Sequence, residues 1–381
     1  MKITGEKEGK NERLKGRCRR MVQKYRSSEQ LTLPIFEPHH EVKIPSTRYQ
    51  GSKAKLVGWI WEKIKDIDFS NAIDIFGGTG VVGYFLKQKG KQVYYNDYLK
   101  SNYYIGLALI ENNTIKLNKQ EAEKLLIKEP DYDYRYFIRD TFKDIYYTDE
   151  ENEWLDIVVQ NICRIENIYK KAVAYYALFQ ACLVKRPFNL FHRKNLYLRF
   201  ADVKRTFGNK TTWDRPFEEH FIDFINEINY LVYDNGRENK AYNLDVFEVE
   251  GNFDLVYIDP PYTSSKGVSV DYLDFYHFLE GLANYENWKN KINYRTINKR
   301  FYKNNNPWND KHKIRKKFRE LFEKFKDSIL VISYRSDGIP TIEQIVSDVK
   351  RFKRQVHVYT FENYKYVLSN GKTAEILIVG E

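Results

Sequence analysis

Asp259-Pro260-Pro261-Tyr262 is the stretch of this chain with the clearest chemical potential. It joins a carboxylate, a carbonyl on a residue that has no amide N–H, and an aromatic ring. The six residues before it, Phe253 to Ile258, form a short apolar run with the character of a buried strand. Proline cannot continue a hydrogen-bonded ladder, so the strand must end there. The set suits a flat base bearing an exocyclic amino group. Asp259 and the Pro260 carbonyl can accept its two hydrogens, and Tyr262 can stack on its ring. A turn that uses Asp as turn former and Tyr for packing has the same four residues.

A second cluster lies upstream. Ala72-Ile73-Asp74-Ile75-Phe76 reads as a strand, Gly77-Gly78-Thr79-Gly80 as a tight turn, and Val81, Val82, Phe85 and Leu86 as one face of a helix. A further strand, Val93-Tyr94-Tyr95, ends in Asn96-Asp97. This is the opening βαβ unit of a nucleotide-binding sheet. The glycines admit a ligand to the backbone, and Asp97 is placed to grip two ribose hydroxyls. Gly78, Gly80 and Gly83 also spell G-x-G-x-x-G, with Asp97 following 19 residues after Gly78. The pattern therefore points to an adenosine-containing cofactor without choosing between a dinucleotide and another, and a bare βα turn stays open beside them. Tyr49-Gln50-Gly51-Ser52-Lys53 is a small-residue loop opening a helix, a place that favours anions. Lys53 would reinforce a carboxylate site there, and Tyr49 would cover a planar group. Asp245, followed by Val246 and Phe247, is placed to accept from an adenine amino group, or to be a plain loop acid.

These residues need a scaffold, and the chain has the means to build one. Apolar residues make up 42% of 381, enough for a sizeable core. No run of eighteen apolar residues occurs, so no membrane span is expected. The charged N-terminus has no apolar core of a signal peptide. Cys18, Cys163 and Cys182 lack metal-type spacing and read as reduced thiols of a cytoplasmic protein. His192 has no suitably spaced partner, so no metal site is expected. The net charge of +11 is concentrated: Lys289 to Lys326 carries fourteen Lys and Arg against three acids, which accounts for all of it. With Tyr294, Phe301, Tyr302 and Trp308 interleaved, this patch suits a polyphosphate backbone with unstacked bases nearby.

The βα alternation lapses between about residues 112 and 240. The expected division is an N-terminal arm over 1–40, a catalytic α/β domain over 41–111 and 241–381, and an inserted, mainly helical domain over 112–240, with helical runs at Ile162–Ile168 and Ala172–Leu183. Two segments of the insertion mix Arg and Lys with Asn, Thr and aromatic rings. Lys185, Arg186, Asn189, Arg193, Asn195, Arg205 and Asn209 are residue types able to read base edges or hold phosphates, and Lys316 and Lys317 of the basic patch are expected on phosphates.

Taken in order, the motifs resemble the Dam-like, D12-class adenine-specific DNA methyltransferases. Tyr49 to Lys53 resembles that family's first motif, Asp74 to Gly80 its glycine motif, Asp97 its ribose-binding acid, Asp245 its adenine-contacting acid, and Asp259 to Tyr262 its catalytic tetrapeptide without departure. Tyr49 stands where relatives often have Trp, and Ser52 where a second Gly is common. The resemblance implies a Rossmann-like S-adenosylmethionine-dependent methyltransferase sheet with an inserted target-recognition domain. It also implies methylation of adenine N6 in double-stranded DNA after base flipping, and a companion restriction endonuclease acting on the same site. RNA or protein-glutamine methylation is a rival reading, although the latter prefers Asn where this chain has Asp259. A catalytically silent DNA-binding protein is another.

Overall fold

The structure, a computed structural model, describes residues 44–46, 49–202, 210–264, 271–303, 306–362 and 373–381. The arm expected over 1–40, Arg205 and Asn209 lie outside them. The elements used below are α1 (Val57–Ile64), β1 (Asn71–Asp74), α2 (Val81–Gln88), β2 (Gln92–Asn96), α3 (Lys100–Gly106), α4 (Asp149–Cys163), α5 (Ile168–Val184), α6 (Phe217–Leu231), β3 (Lys240–Tyr242), β4 (Leu255–Ile258), α7 (Tyr272–Ala283), α8 (Ile314–Lys324), β5 (Ile329–Arg335), α9 (Ile342–Val349), β6 (Val356–Phe361) and β7 (Glu375–Gly380).

The seven strands form one sheet in the order β3-β2-β1-β4-β5-β7-β6. Strands β3 to β5 pair in parallel, and β7 runs against both of its neighbours. This is the α/β architecture expected. Strand β4 is buried at every position, as a central strand covered on both faces must be. The chain order reverses at β1, between β2 and β4, and the carboxyl ends of the strands open a crevice at such a switch point.

Each face of the sheet has its own core. Ile73, Val256, Ile258, Leu330 and Ile332 point to the face covered by α8 and α9. Helix α8 is the second half of the basic patch, and it is amphipathic: Ile314, Phe318, Leu321 and Phe322 are fully buried. The basic stretch is thus in part a crossover helix that closes the sheet. The other face is covered by α2, α3 and the helices of residues 112–240, which share one hydrophobic core with it. Helix α5 is buried from Ala172 to Val184.

The expected helical run Ile162–Ile168 spans a break. Helix α4 ends at Cys163, and α5 starts afresh because the Asn167 side chain accepts from the amides of Tyr169 and Lys170. Helix α4 itself is started by a capping box, Thr148 with Glu151. None of the described helices is long and apolar enough to cross a membrane.

Candidate active site

Local geometry places the chemistry at the carboxyl ends of β1, β2 and β4. After β1 the chain turns through Gly78 and Gly80, both with left-handed backbones (φ +50° and +69°), where glycine alone is unstrained. Gly77 is demanded by packing: a Cβ there would sit 2.0 Å from the Tyr95 ring. A cavity of about 320 Å³ opens in front of this turn. Tyr49, Gly51, Lys53, Asp74, Phe76, Gly77, Gly78, Thr79, Asp97, Asp245, Val246 and Asp259 all line it, and Gly80 caps α2 behind them. Residues expected from five separate motifs therefore converge on one space.

The carboxylates define its character. The Asp97 carboxylate accepts from the Gly78 amide at 2.9 Å, the Leu99 amide at 2.8 Å and the Asn102 amide group at 3.1 Å. Burial outweighs these bonds and raises it to about 6. Asp74 accepts from the Gly83 amide at 3.3 Å, while its Oδ1 is buried with no partner among the described residues. Burial and the nearby Asp259 charge push Asp74 up to about 8. Burial likewise raises Asp259 to about 6, against the pull of Lys53. Three carboxyl groups around one cavity, each holding protons more tightly than usual, make a place suited to a cation.

Lys53 and Asp259 are joined directly. The Lys53 Nζ lies 3.0 Å from Asp259 Oδ1, 2.5 Å from the Tyr262 hydroxyl and 3.2 Å from Glu375 Oε1. The Tyr262 hydroxyl donates to the same Asp259 oxygen. This corrects the role expected of Tyr262. Its ring is 4% exposed, packs edge-on against Tyr334 and lies under Lys53, so it does not offer a free stacking face. Its hydroxyl is turned to Lys53 and Asp259. Asp259 and Pro261 are the tetrapeptide residues that line the cavity.

Aromatic walls come from elsewhere. Tyr49 stacks on Tyr276 of α7 with ring centroids 4.0 Å apart, and the Gln50 amide donates to the Tyr276 hydroxyl at 2.7 Å. Gly51 has φ +85°, and a Cβ there would come within 2.6 Å of the Tyr272 hydroxyl, so glycine lets the loop and α7 approach. Sequence reasoning missed Tyr272, Trp308 and Glu375. Tyr272 opens α7 outside every motif considered. Trp308, which lines the cavity edge-on to Phe76, was read with the basic patch. Glu375, the first residue of an apolar strand, had no local signal.

Residues 49–356 match the family model for D12 class N6 adenine-specific DNA methyltransferases. The chain belongs to that family. It is 31% identical over 324 residues to the type II methyltransferase M2.HphI of Haemophilus parahaemolyticus, covering 83% of this chain and 90% of the relative. Against the type II methyltransferase M.FokI of Planomicrobium okeanokoites it is 29% identical over 328 residues, 80% of this chain but only 46% of that longer protein. Against M.NlaIII of Neisseria lactamica the identity is 24% over 327 residues, covering 82% and 90%.

In this D12-class methyltransferase the residues expected on DNA divide sharply. Lys185 and Arg186 are 2% and 1% exposed, which corrects their expected placement on the nucleic acid. Lys185 pairs with Glu151 at 2.8 Å and donates to the Arg215 carbonyl. Arg186 donates to the carbonyls of Leu190 and Arg193 and so shapes the loop from inside. Asn195 is also buried and donates to the Pro187 carbonyl. Arg193 is exposed and Asn189 half-buried. The loop docks on α7 through the bond from the Phe191 amide to the Phe275 carbonyl, 2.9 Å, which puts it beside the helix that walls the cavity. On α8, Lys316 is 81% exposed and 3.8 Å from Glu320, whereas Lys317 is 28% exposed and 2.6 Å from the same carboxylate. Arg315 and Arg319 are both held by Asp348, so the patch presents fewer cations than its composition suggests.

Proposed function

We propose that the protein transfers a methyl group from S-adenosylmethionine to N6 of an adenine flipped out of double-stranded DNA, as the modification enzyme of a type II restriction–modification pair. The observation that carries this reading is the position of Asp259. It ends central strand β4 in the wall of the cavity that the Gly77–Gly80 turn and Asp97 also line. The relatives' names support the type II setting, and a companion endonuclease acting on the same site is the partner it implies.

The residues present fit such a cofactor. The unpartnered Asp74 Oδ1 and the raised carboxyl groups of Asp97 and Asp259 suit a molecule carrying both an ammonium and a sulfonium. The Gly78 backbone lies open toward the cavity, Asp97 is placed for ribose hydroxyls, and Phe76 and Val246 would pack on the adenine, with Asp245 at its rim. The cofactor supplies an electrophilic methyl group when bound.

The protein's task is to prepare the nucleophile. Adenine N6 shares its lone pair with the ring. Acceptance of its hydrogens by Asp259 and the Pro260 carbonyl favours a more tetrahedral nitrogen and stabilises the positive charge that grows there. One N6 proton must then leave, and the Asp259 carboxylate is placed to take it. The target atom is shielded in a duplex, so the base must leave the stack. Arg193 is proposed to select sequence beside α7, while Lys316 holds phosphate.

The test is direct: incubate the protein with labelled cofactor and unmethylated DNA, then digest to nucleosides and identify the product by mass spectrometry. N6-methyladenine is expected. Labelled cytosine, labelled protein or no transfer would each overturn the reading.

A further inference from the structure

The Lys53 ammonium has three N–H groups, and Asp259, Tyr262 and Glu375 are acceptors within its reach. Glu375 is fully buried at the start of β7, and its Oε1 also accepts from the Ser333 hydroxyl of β5. Every following residue of β7 from Ile376 to Val379 is buried and apolar, and the cation opposite Glu375 in the register, Arg335, is paired with Asp337. A second buried carboxylate beside Asp259 carries a heavy desolvation cost, and a single carboxylate would already neutralise Lys53.

We propose that Glu375 is a positioning residue of the methyl-transfer site, dividing the Lys53 ammonium between itself and Asp259 so that Asp259 remains a strong acceptor for the adenine amino group. The inference rests on the function proposed above.

A carboxylate held alone by an ammonium is a weak acceptor, because the ion pair has already satisfied it. Glu375 draws part of that cation away. Lys53 can then orient one oxygen of Asp259, together with Tyr262, without cancelling its charge. With two carboxylates to one ammonium, the cluster keeps a net negative charge, opposite in sign to the charge that develops on N6. Electrostatics around Asp259 agree in direction. Lys53 lowers its proton affinity and Glu375 raises it, while Tyr262 lowers it by hydrogen bonding. Asp74 from β1, Tyr257 from β4 and Tyr272 from α7 also face Asp259, and all three are acids.

The experiment compares wild type, Glu375→Gln, Lys53→Met and the double variant by two readouts. One is single-turnover methyl transfer as a function of pH at saturating DNA and cofactor. The other is the titration of Asp259 followed by NMR on protein labelled with ¹³C at Asp carboxyl carbons, assigned with Asp259→Asn. Glu375→Gln is expected to slow transfer about tenfold, move the acidic limb of the profile and the Asp259 midpoint to lower pH, and leave DNA affinity unchanged. Lys53→Met is expected to move the midpoint upward, and the double variant to bring it back toward wild type. Transfer lost with an unmoved profile and midpoint would mean that Glu375 is merely structural, and an unchanged rate would overturn the proposal as well. Should Glu375→Gln fail to fold, the Lys53→Met midpoint decides: no upward shift sinks the idea. Absence of adenine methylation by the wild type would remove the functional reading alone, since the NMR titration still reports on the Glu375–Lys53–Asp259 cluster.

Discussion

Glu151 and Asp259 are both carboxylates set against cations inside this protein, in opposite proportions. Glu151 lies between Lys185 at 2.8 Å and Arg199 at 2.6 Å, two cations to one acid. Those partners hold its carboxyl below the usual range despite its burial. Asp259 shares one lysine with Glu375, two acids to one cation, and its carboxyl is raised to about 6. The first cluster ties α4 to the loop after α5 and to the short helix Tyr197–Phe200, with both terminal guanidinium nitrogens of Arg199 on Glu151 and one also on the Trp213 carbonyl. The second sets two carboxylates on one ammonium beside a cavity in which Asp74 Oδ1 has no partner among the described residues. Buried charge tied between packed elements builds a scaffold. Buried charge left unmatched next to open space is built to meet a ligand of the opposite sign.

The comparison breaks most visibly at Glu151. Glu151→Ala leaves two buried cations facing each other and removes half of a capping box. It should cost about 3–5 kcal/mol of stability, read from urea unfolding, while the turnover of whatever remains folded stays near wild type. A loss of turnover with unchanged stability would erase the distinction. Asp259→Ala should behave in the opposite way. Losing an acceptor that acts in the transition state costs about 3–4 kcal/mol, a fall in single-turnover rate with the urea midpoint nearly unmoved.

Asp74 sharpens the same contrast through pH. Its folded value of about 8 lies above the ordinary value of 3.8. Between those limits the folded protein binds the extra proton, so its contribution to stability is full at low pH and is lost as pH rises through about 8. The cofactor-free protein should therefore melt at lower temperature at pH 8.5 than at pH 6.5, and Asp74→Asn should flatten that slope. Glu151, whose carboxyl is lowered, contributes with the opposite sign: its share is present at neutral pH and fades on acidification. The smallest effect is expected at the surface. Lys316→Gln should lower the log–log salt slope of DNA binding by about 0.9 and leave transfer at saturating DNA unchanged. A fall in saturated rate would place Lys316 in the site instead of on a phosphate.

Much of this molecule was legible in the sequence because its motifs are contiguous. A strand, a glycine turn and a helix follow one another within Asn71–Gln88, and backbone sterics alone decide where Gly78 and Gly80 must stand. An apolar run stopped by two prolines can end only as β4 does, with Asp259 at its tip. Parallel pairing of adjacent βα units then brings Asp74, Asp97 and Asp259 to the same edge. Basic residues were harder. Lys185 and Arg186 have the composition of a DNA-binding segment, yet the packing of α5 against α3 and α6 turns them inward, where Glu151 and backbone carbonyls satisfy them. Which way Tyr262 faces, which lysines of α8 point to solvent, and the meeting of Lys53 with Glu375 depend on contacts between segments far apart in the chain. Sheet register sets those contacts: β7 pairs with β5 so that Glu375 lies opposite Arg335 and Ile378 opposite Ile332. No local propensity carries that information. The chemistry of the site was written in short stretches, and its balance of charge was decided only when the sheet closed.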